Sequence, residues 1–190
     1  FFRKAFKKQS EALGIVYTPV EIVDFILRAA DDVSKKHFGK GLTDEGVCIL
    51  DPFAGTSTFT VRLLQSGLIK PEDLARKYAN ELFATEIMLL AYYVSAVNIE
   101  TTYNALREEA ALRNGEPAPE YVPFTNIALA DTFQIHEEGD IPDLNIFREN
   151  NETIERQKQA PINVVIGNPP YSAGQKSACL LYTSPSPRDR

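Results

Sequence analysis

Four short apolar runs are spaced along the chain, and each leads to a polar residue. The runs cover residues 47–50, 82–86, 127–130 and 162–166. Runs of this length bounded by turn residues are typical of strands, and the first suits a strand buried on both faces of a sheet. The pattern therefore predicts four strands, which lead to Asp51, Glu86, Asp131 and Asn168.

Amphipathic helices are predicted before the first strand and between the strands. From Pro19 to about Ser34 the apolar residues recur at helical spacing, with Thr18 as the N-cap and Glu21 near the positive helix end. Further helices are expected at residues 59–66, 88–98 and 150–159, and residues 106–123 are expected to form a helix end and a surface loop.

Strands that alternate with helices indicate an α/β fold with a parallel sheet. Ligands of such sheets bind beyond the carboxyl ends of the strands. We therefore expect the four polar strand ends to share one ligand-binding edge.

Length and composition are those of one ordinary domain. The chain has 190 residues, 44% of them hydrophobic and 10% aromatic, which is enough to bury a core. Because it begins with Phe1 and its one methionine is Met88, we expect it to be part of a longer polypeptide. No apolar run reaches the ~18 residues of a membrane span, so no membrane partner is expected and a cytoplasmic protein is predicted.

The last residues break the pattern. Residues 178–190 carry a Ser-Pro repeat without helical or alternating periodicity, and they resemble a translated sequencing adapter. We expect residues 1–177 to be the N-terminal, incomplete part of a catalytic domain that is truncated after the fourth strand, and residues 178–190 to be a non-native tail.

Charge and metal-binding residues exclude some classes of site. Cys48 and Cys179 form no CxxC pair, and His37 and His136 have polar neighbours, so no metal site is predicted. The net charge of −6 argues weakly against a protein whose whole surface binds nucleic acid. It does not exclude a DNA enzyme whose basic surface lies outside this part of the polypeptide.

Residues 51–59 form a loop of small residues between the first strand and the next helix. Such a loop lets backbone N–H groups approach a ligand, and Asp51 can accept hydrogen bonds from a bound amine. Glu86, at the end of the second strand, has the position of an acid that binds ribose hydroxyls. The alternative is a plain turn with exposed carboxylates.

Asn168, Pro169, Pro170 and Tyr171 are the most informative residues. The amine of adenine is a poor nucleophile, because its lone pair is delocalised into the ring. The Asn168 side chain and the Pro169 carbonyl can accept its two N–H hydrogen bonds. The two prolines restrict the backbone that aims these acceptors, and Tyr171 offers a stacking face for a flipped base.

Together these motifs resemble the gamma group of N6-adenine DNA methyltransferases. The resemblance implies a Rossmann-like methyltransferase fold, S-adenosylmethionine as cofactor and double-stranded DNA with a flipped adenine as partner. Ser57 departs from the family pattern, which usually has glycine there. The resemblance assigns cofactor-binding roles to Tyr17, Thr18, Pro19, Asp51, Phe53, Ala54, Gly55, Thr56, Glu86 and Asp131, with Asp131 holding the amine of the cofactor adenine, and catalysis to residues 168–171.

The sequences of residues 14–21 and 167–176 further resemble the methylase portion of single-chain restriction–modification enzymes that also carry helicase and nuclease domains. Three alternatives remain open. They are an amino-methyltransferase that acts on protein glutamine or an RNA base, a catalytically silent DNA-specificity module, and a nicotinamide dehydrogenase. The dehydrogenase is disfavoured, because it would require a GxGxxG loop that is absent here.

Overall fold

The computed structural model describes residues 18–133 and 148–170. The chain divides into two compact units, of which one comprises residues 18–168 and the other comprises residues 1–17 and 169–190. The first unit contains all the helices and strands reported below. Of the second unit, the structure describes Pro169 and Pro170, which are exposed and outside regular structure. Tyr17, Tyr171, His136 and the expected tail lie outside the described residues.

The first helix among the described residues, α1, spans Val20–Phe38. Its N-cap is Pro19 rather than the predicted Thr18, and no side chain caps it. The helix also continues one turn beyond the predicted end at Ser34. It stops where Gly39 adopts a left-handed conformation that glycine tolerates without strain.

The remaining elements follow in the predicted alternation. They are β1 (Cys48–Asp51), α2 (Thr58–Gln65), α3 (Pro71–Arg76), a π-helical turn (Lys77–Glu81), β2 (Leu82–Glu86), α4 (Leu89–Asn114), β3 (Ile127–Leu129), α5 (Arg148–Gln159) and β4 (Ile162–Val165). The sequence pattern gave no sign of α3 or of the π-helical turn.

The four strands form a parallel sheet in the order β3-β2-β1-β4. Leu50 pairs with Phe83 on one side and with Val165 on the other. β4 is an edge strand of the described sheet, and its Val165 is 63% exposed, so this strand is less buried than its apolar sequence indicates. The prediction of a parallel α/β sheet is confirmed.

Helix α4 is much longer than predicted. The pattern predicted a helix over residues 88–98 and a helix end with a surface loop over residues 106–123. One continuous helix runs through both regions to Asn114, so the helix end within residues 106–123 is confirmed and the break before it is wrong. The returning segment is tied to the helix, because the Asn104 side chain accepts a hydrogen bond from Val122 N and donates one to Val122 O, each at 3.0 Å. The Glu100 carboxylate accepts another from Phe124 N at 2.9 Å.

The core lies between the sheet and the helices α1, α2 and α4. Its buried residues include Val23, Leu27, Ile49, Phe59, Leu63, Ala84, Ile99, Tyr103, Ile127 and Ile166. Arg62 of α2 joins Asp24 of α1 through two hydrogen bonds, at 2.8 and 2.6 Å, which fixes the two helices side by side. Burial of this apolar surface is the main force that holds the sheet and its strand ends in place.

Candidate functional site

All four polar strand ends lie at the carboxyl edge of the sheet. Asp51 and Glu86 are the last residues of β1 and β2, Asp131 follows β3 by two residues, and Asn168 follows β4 by three. Since the strands are parallel, this edge is the expected ligand side. The sequence therefore predicted the placement of these residues correctly, while their chemical roles stay predictions.

Asp51 is a buried carboxylate whose hydrogen bonding is incomplete. It is 4% exposed. Its Oδ1 atom accepts a hydrogen bond from Phe53 N at 3.1 Å, whereas Oδ2 is buried without a partner in the described part of the chain. The pKa of Asp51 is raised from 3.8 to about 7, chiefly by burial, which the hydrogen bond from Phe53 N opposes and the nearby Glu86 charge reinforces. Such a group favours either a proton or a bound cation.

Glu86 anchors the β1–α2 loop (residues 52–57). Its Oε2 atom accepts a hydrogen bond from Gly55 N at 2.7 Å, and Oε1 accepts one from Met88 N at 2.8 Å. Ala54 N donates to the neighbouring Thr85 carbonyl at 2.9 Å. Burial raises the pKa of Glu86, and the backbone N–H bonds oppose that shift. Glu86 thus has a structural role that its sequence position did not indicate.

The loop turns sharply at two residues. Gly55 has φ +56 and Ser57 has φ 62, both in the left-handed region. Ser57 is fully buried, and its hydroxyl shares a hydrogen bond with that of Ser95 in α4. Ala54 is buried, while Phe53 and Thr56 are half-buried.

The residues after β3 cross the β1–α2 loop. Asp131 Oδ1 accepts a hydrogen bond from Phe133 N at 3.0 Å, and the Thr132 hydroxyl donates to the Pro52 carbonyl. The Phe133 ring lies 5.5 Å from the Phe53 ring, centroid to centroid. Phe133 is nevertheless 66% exposed, as an apolar surface beside Asp131. Sequence analysis gave Phe133 no role, although an aromatic residue two positions after a polar strand end was a visible signal.

The turn after β4 contacts the end of β1. Ile166 N donates to the Leu50 carbonyl at 2.9 Å, so the strand pairing continues to the edge of the turn. A Cβ atom on Gly167 would lie 2.7 Å from Asp51 Oδ1 and 3.3 Å from Pro52 Cδ. The absence of a side chain at Gly167 therefore brings the backbone before Asn168 against the Asp51 carboxylate. Asn168 itself is half-buried.

The other predicted site residues are less informative. Thr18 and Pro19 directly precede α1, and their contact with a cofactor stays a prediction. Within residues 18–133 and 148–170, no cluster of His, Cys, Asp and Glu could hold a metal ion. None of the helices in those ranges combines the length and apolar character needed to cross a bilayer.

Three solved structures are similar to almost the whole chain. The chain is 48% identical to part of the ATP-dependent Type ISP restriction-modification enzyme LlaBIII bound to DNA, over 93% of this chain and 12% of that one, with a TM-score of 0.77. It is 47% identical to part of a nuclease-deletion mutant of the Type ISP restriction-modification enzyme LlaGI in complex with a DNA substrate mimic, over 92% and 14% of the two chains, with a TM-score of 0.75.

The third structure is a cryo-electron-microscopy structure of a DrdV–DNA complex, with 41% identity, coverage of 93% and 16% of the two chains, and a TM-score of 0.77. No protein-family model and no curated protein sequence matches the chain. The chain spans 12 to 16% of the length of the three similar proteins. The chain is thus similar to a small part of two Type ISP restriction-modification enzymes and of DrdV.

Proposed function

We propose that this chain is the methyltransferase segment of a restriction–modification polypeptide, with a Rossmann-like fold that transfers a methyl group from S-adenosylmethionine to N6 of adenine in DNA. The observation that carries the proposal is the contact between Gly167 and Asp51. It brings the backbone that leads into Asn168 against the end of β1 and the start of the candidate cofactor loop. Direct transfer requires such proximity, because the reacting atoms must approach to about 3–3.5 Å.

The residues at the strand ends fit this cofactor. The buried Asp51 Oδ2 atom is an acceptor in need of a donor or a cation, as the amine of the methionine part would supply. The Glu86 carboxylate accepts hydrogen bonds from the backbone N–H groups of Gly55, Met88 and Ile87, and a carboxylate can accept about four, so capacity remains for a ribose hydroxyl. When bound, the cofactor supplies an electrophilic methyl group on a sulfonium.

The adenine part of the cofactor has a suitable neighbourhood after β2 and β3. Asp131 offers a carboxylate oxygen to an exocyclic amine. Ile87, 55% exposed, and Phe133 follow the ends of these adjacent strands and offer apolar surface to the faces of a flat ring.

The target base would be handled by residues 168–171. Asn168 and the Pro169 carbonyl would accept hydrogen bonds from the N6 amine and favour its nucleophilic form, while Pro170 restricts the turn and Tyr171 stacks on the flipped base. The amine loses a proton after transfer.

DNA as substrate is supported by the similar structures, which contain DNA. The net charge of −6 indicates that phosphate contacts are supplied by other parts of the polypeptide. LlaBIII is ATP-dependent and LlaGI was studied as a nuclease-deletion mutant, which supports helicase and nuclease domains in the same chain as this segment.

The identity of the product tests this proposal. The full-length protein would be incubated with duplex DNA and S-adenosylmethionine labelled in its methyl group, and the DNA digested to nucleosides. We expect the label in N6-methyladenine. Label in methylcytosine, in RNA or in protein would contradict the proposal, and so would no transfer to duplexes of varied sequence.

A further inference from the structure

Ser57 has a backbone conformation that its side chain disfavours. It precedes α2 with φ 62 and ψ 37. Among the residues that the structure describes, it is the one non-glycine residue with a positive φ. The left-handed region crowds Cβ against the backbone, which is why glycine is preferred there. An interaction with a residue outside the β1–α2 loop must therefore compensate for the strain at Ser57.

The Ser57 hydroxyl provides that compensation. A serine before a helix usually accepts a hydrogen bond from an N–H of the first turn, but Ser57 makes no such bond. Its hydroxyl instead pairs with that of Ser95 in α4, and both residues are 0% exposed. Breaking the pair would leave a buried hydroxyl without a partner, which is costly. The pair therefore holds Ser57 in place.

A second contact lies one helical turn further along α4. Asn98 Nδ2 donates a hydrogen bond to the Thr56 carbonyl at 3.0 Å. Ser95 and Asn98 are three residues apart, so they share one face of α4. They contact consecutive residues of the β1–α2 loop, whose other side is anchored by Thr85 and Glu86. The loop is thus held between the end of β2 and α4.

We propose that Ser95 and Asn98 are positioning residues of the cofactor site. They act through their hydrogen bonds to Ser57 and Thr56. These bonds orient the N–H groups of the β1–α2 loop, and they hold in place the loop that directly follows Asp51. Ser95 explains how a serine is accepted at a left-handed position that favours glycine. The inference rests on the proposed function, since it assigns the loop to S-adenosylmethionine.

Calorimetric titration of the full-length protein with S-adenosylmethionine tests the role of Ser95. Loss of a neutral hydrogen bond corresponds to about 2- to 10-fold in an equilibrium constant, so Ser95→Ala should weaken binding by about that factor. The double variant Ser57→Gly/Ser95→Ala should recover affinity to within about 2-fold, because glycine adopts the left-handed conformation and leaves no hydroxyl unpaired. Asn98→Ala should weaken binding by about 2- to 10-fold as well.

Two further measurements separate positioning from general stability. Amide hydrogen exchange in residues 54–58 should accelerate in Ser95→Ala without any cofactor, because Ser57 N donates to Ala54 O at 2.6 Å only while the turn is intact. The methyl-transfer rate at saturating cofactor should fall by a smaller factor than the cofactor affinity, since Ser95 reaches the Asn168 turn only through the loop and Asp51.

Ser34→Ala is the matched control. Ser34 is also a buried helical serine, but its hydroxyl donates to Lys40 O in the loop that leads into the start of β1. Equal cofactor affinity in Ser95→Ala and Ser34→Ala, or no recovery in the double variant, would overturn the positioning role. An unmodified protein that fails to bind S-adenosylmethionine would instead refute the proposed function and the positioning role with it.

Discussion

Gly167 and Asp51 are in such close contact that any side chain at position 167 would collide with the Asp51 carboxylate, at 2.7 Å from Cβ to Oδ1. The Asp51 side chain is buried, and residue 167 belongs to the backbone that leads into Asn168. Neither can move to relieve the collision without a change in the site. The two functions proposed for this sheet edge, cofactor binding and base activation, are thus mechanically linked at this contact.

Gly167→Ala should therefore impair both functions. We expect S-adenosylmethionine affinity and the transfer rate each to fall by about 10-fold or more, since overpacking of this kind costs ~1–3 kcal/mol. Calorimetry and single-turnover assays would measure the two effects. Gly41→Ala is the control, because a Cβ atom at Gly41 would lie 2.7 Å from Asp31 Oδ1, a similar clash with a buried carboxylate but in the loop between α1 and β1. If both variants behave alike, the Gly167 contact has no functional importance.

Cofactor affinity should depend on pH through Asp51. Its pKa is raised from 3.8 to about 7 by burial, so in the free protein the carboxyl is largely protonated below that pH. A cationic ligand prefers the ionised form, so affinity should rise as pH increases toward 7 and level off above it, with proton release on binding. Titrations between pH 5.5 and 8.5 would measure this. Asp51→Asn should bind weakly and without this pH dependence, and a similar slope in that variant would assign the titration to another group.

Glu86→Gln should weaken cofactor binding. The neutral amide has one acceptor oxygen where Glu86 uses two, so either the Gly55 or the Met88 N–H loses its partner. Hydrogen bonds to a charged group contribute ~1.5–3 kcal/mol, which corresponds to about 10- to 100-fold in affinity. Glu155→Gln, on the exposed face of α5, is the control. Unchanged calorimetric affinity in Glu86→Gln would remove Glu86 from the cofactor site.

Phe133→Ala should lower cofactor affinity by about 3- to 10-fold, because stacking on an aromatic ring contributes ~0.5–1.5 kcal/mol. The matched control is Phe38→Ala, since Phe38 is similarly exposed but lies at the end of α1. Replacement by Phe133→Leu should retain part of the affinity through apolar contact. Equal binding by the Phe133→Ala and Phe38→Ala variants would show that Phe133 does not contact the adenine ring.

Much of this fold is predictable because its signals are local. The strands are short apolar runs with polar ends, and the parallel order follows from their alternation with helices. The continuity of α4 was not predictable, since the helix is held by contacts of Glu100 and Asn104 with a segment that lies far along the chain. Thr18 was the expected N-cap because of its residue type, whereas the N-cap in the structure is Pro19, one residue later. Nothing in the sequence pattern distinguishes these two positions.

Long-range contacts account for what sequence analysis missed in the site. Glu86 was predicted as a ligand residue, but its bonds to Gly55 and Met88 require the folded loop. Lys77, outside the site, is another example, because it is fully buried and donates to the Asp44 and Val47 carbonyls at 2.7 Å. Its burial lowers its pKa. The sequence gives no indication that Lys77 is buried, because it stands in a polar segment and lysines are rarely buried.

The rate of single-turnover methyl transfer by Asn168→Ala tests the central claim most directly. The assay uses the full-length protein, duplex DNA and saturating labelled S-adenosylmethionine, with cofactor affinity measured in parallel. Removing an acceptor that is needed as charge develops on N6 should slow transfer by about 10²-fold or more, while cofactor affinity stays within about 2-fold. Transfer at the full rate by Asn168→Ala, or an equal loss of cofactor affinity, would contradict the assignment of this turn to the adenine amine.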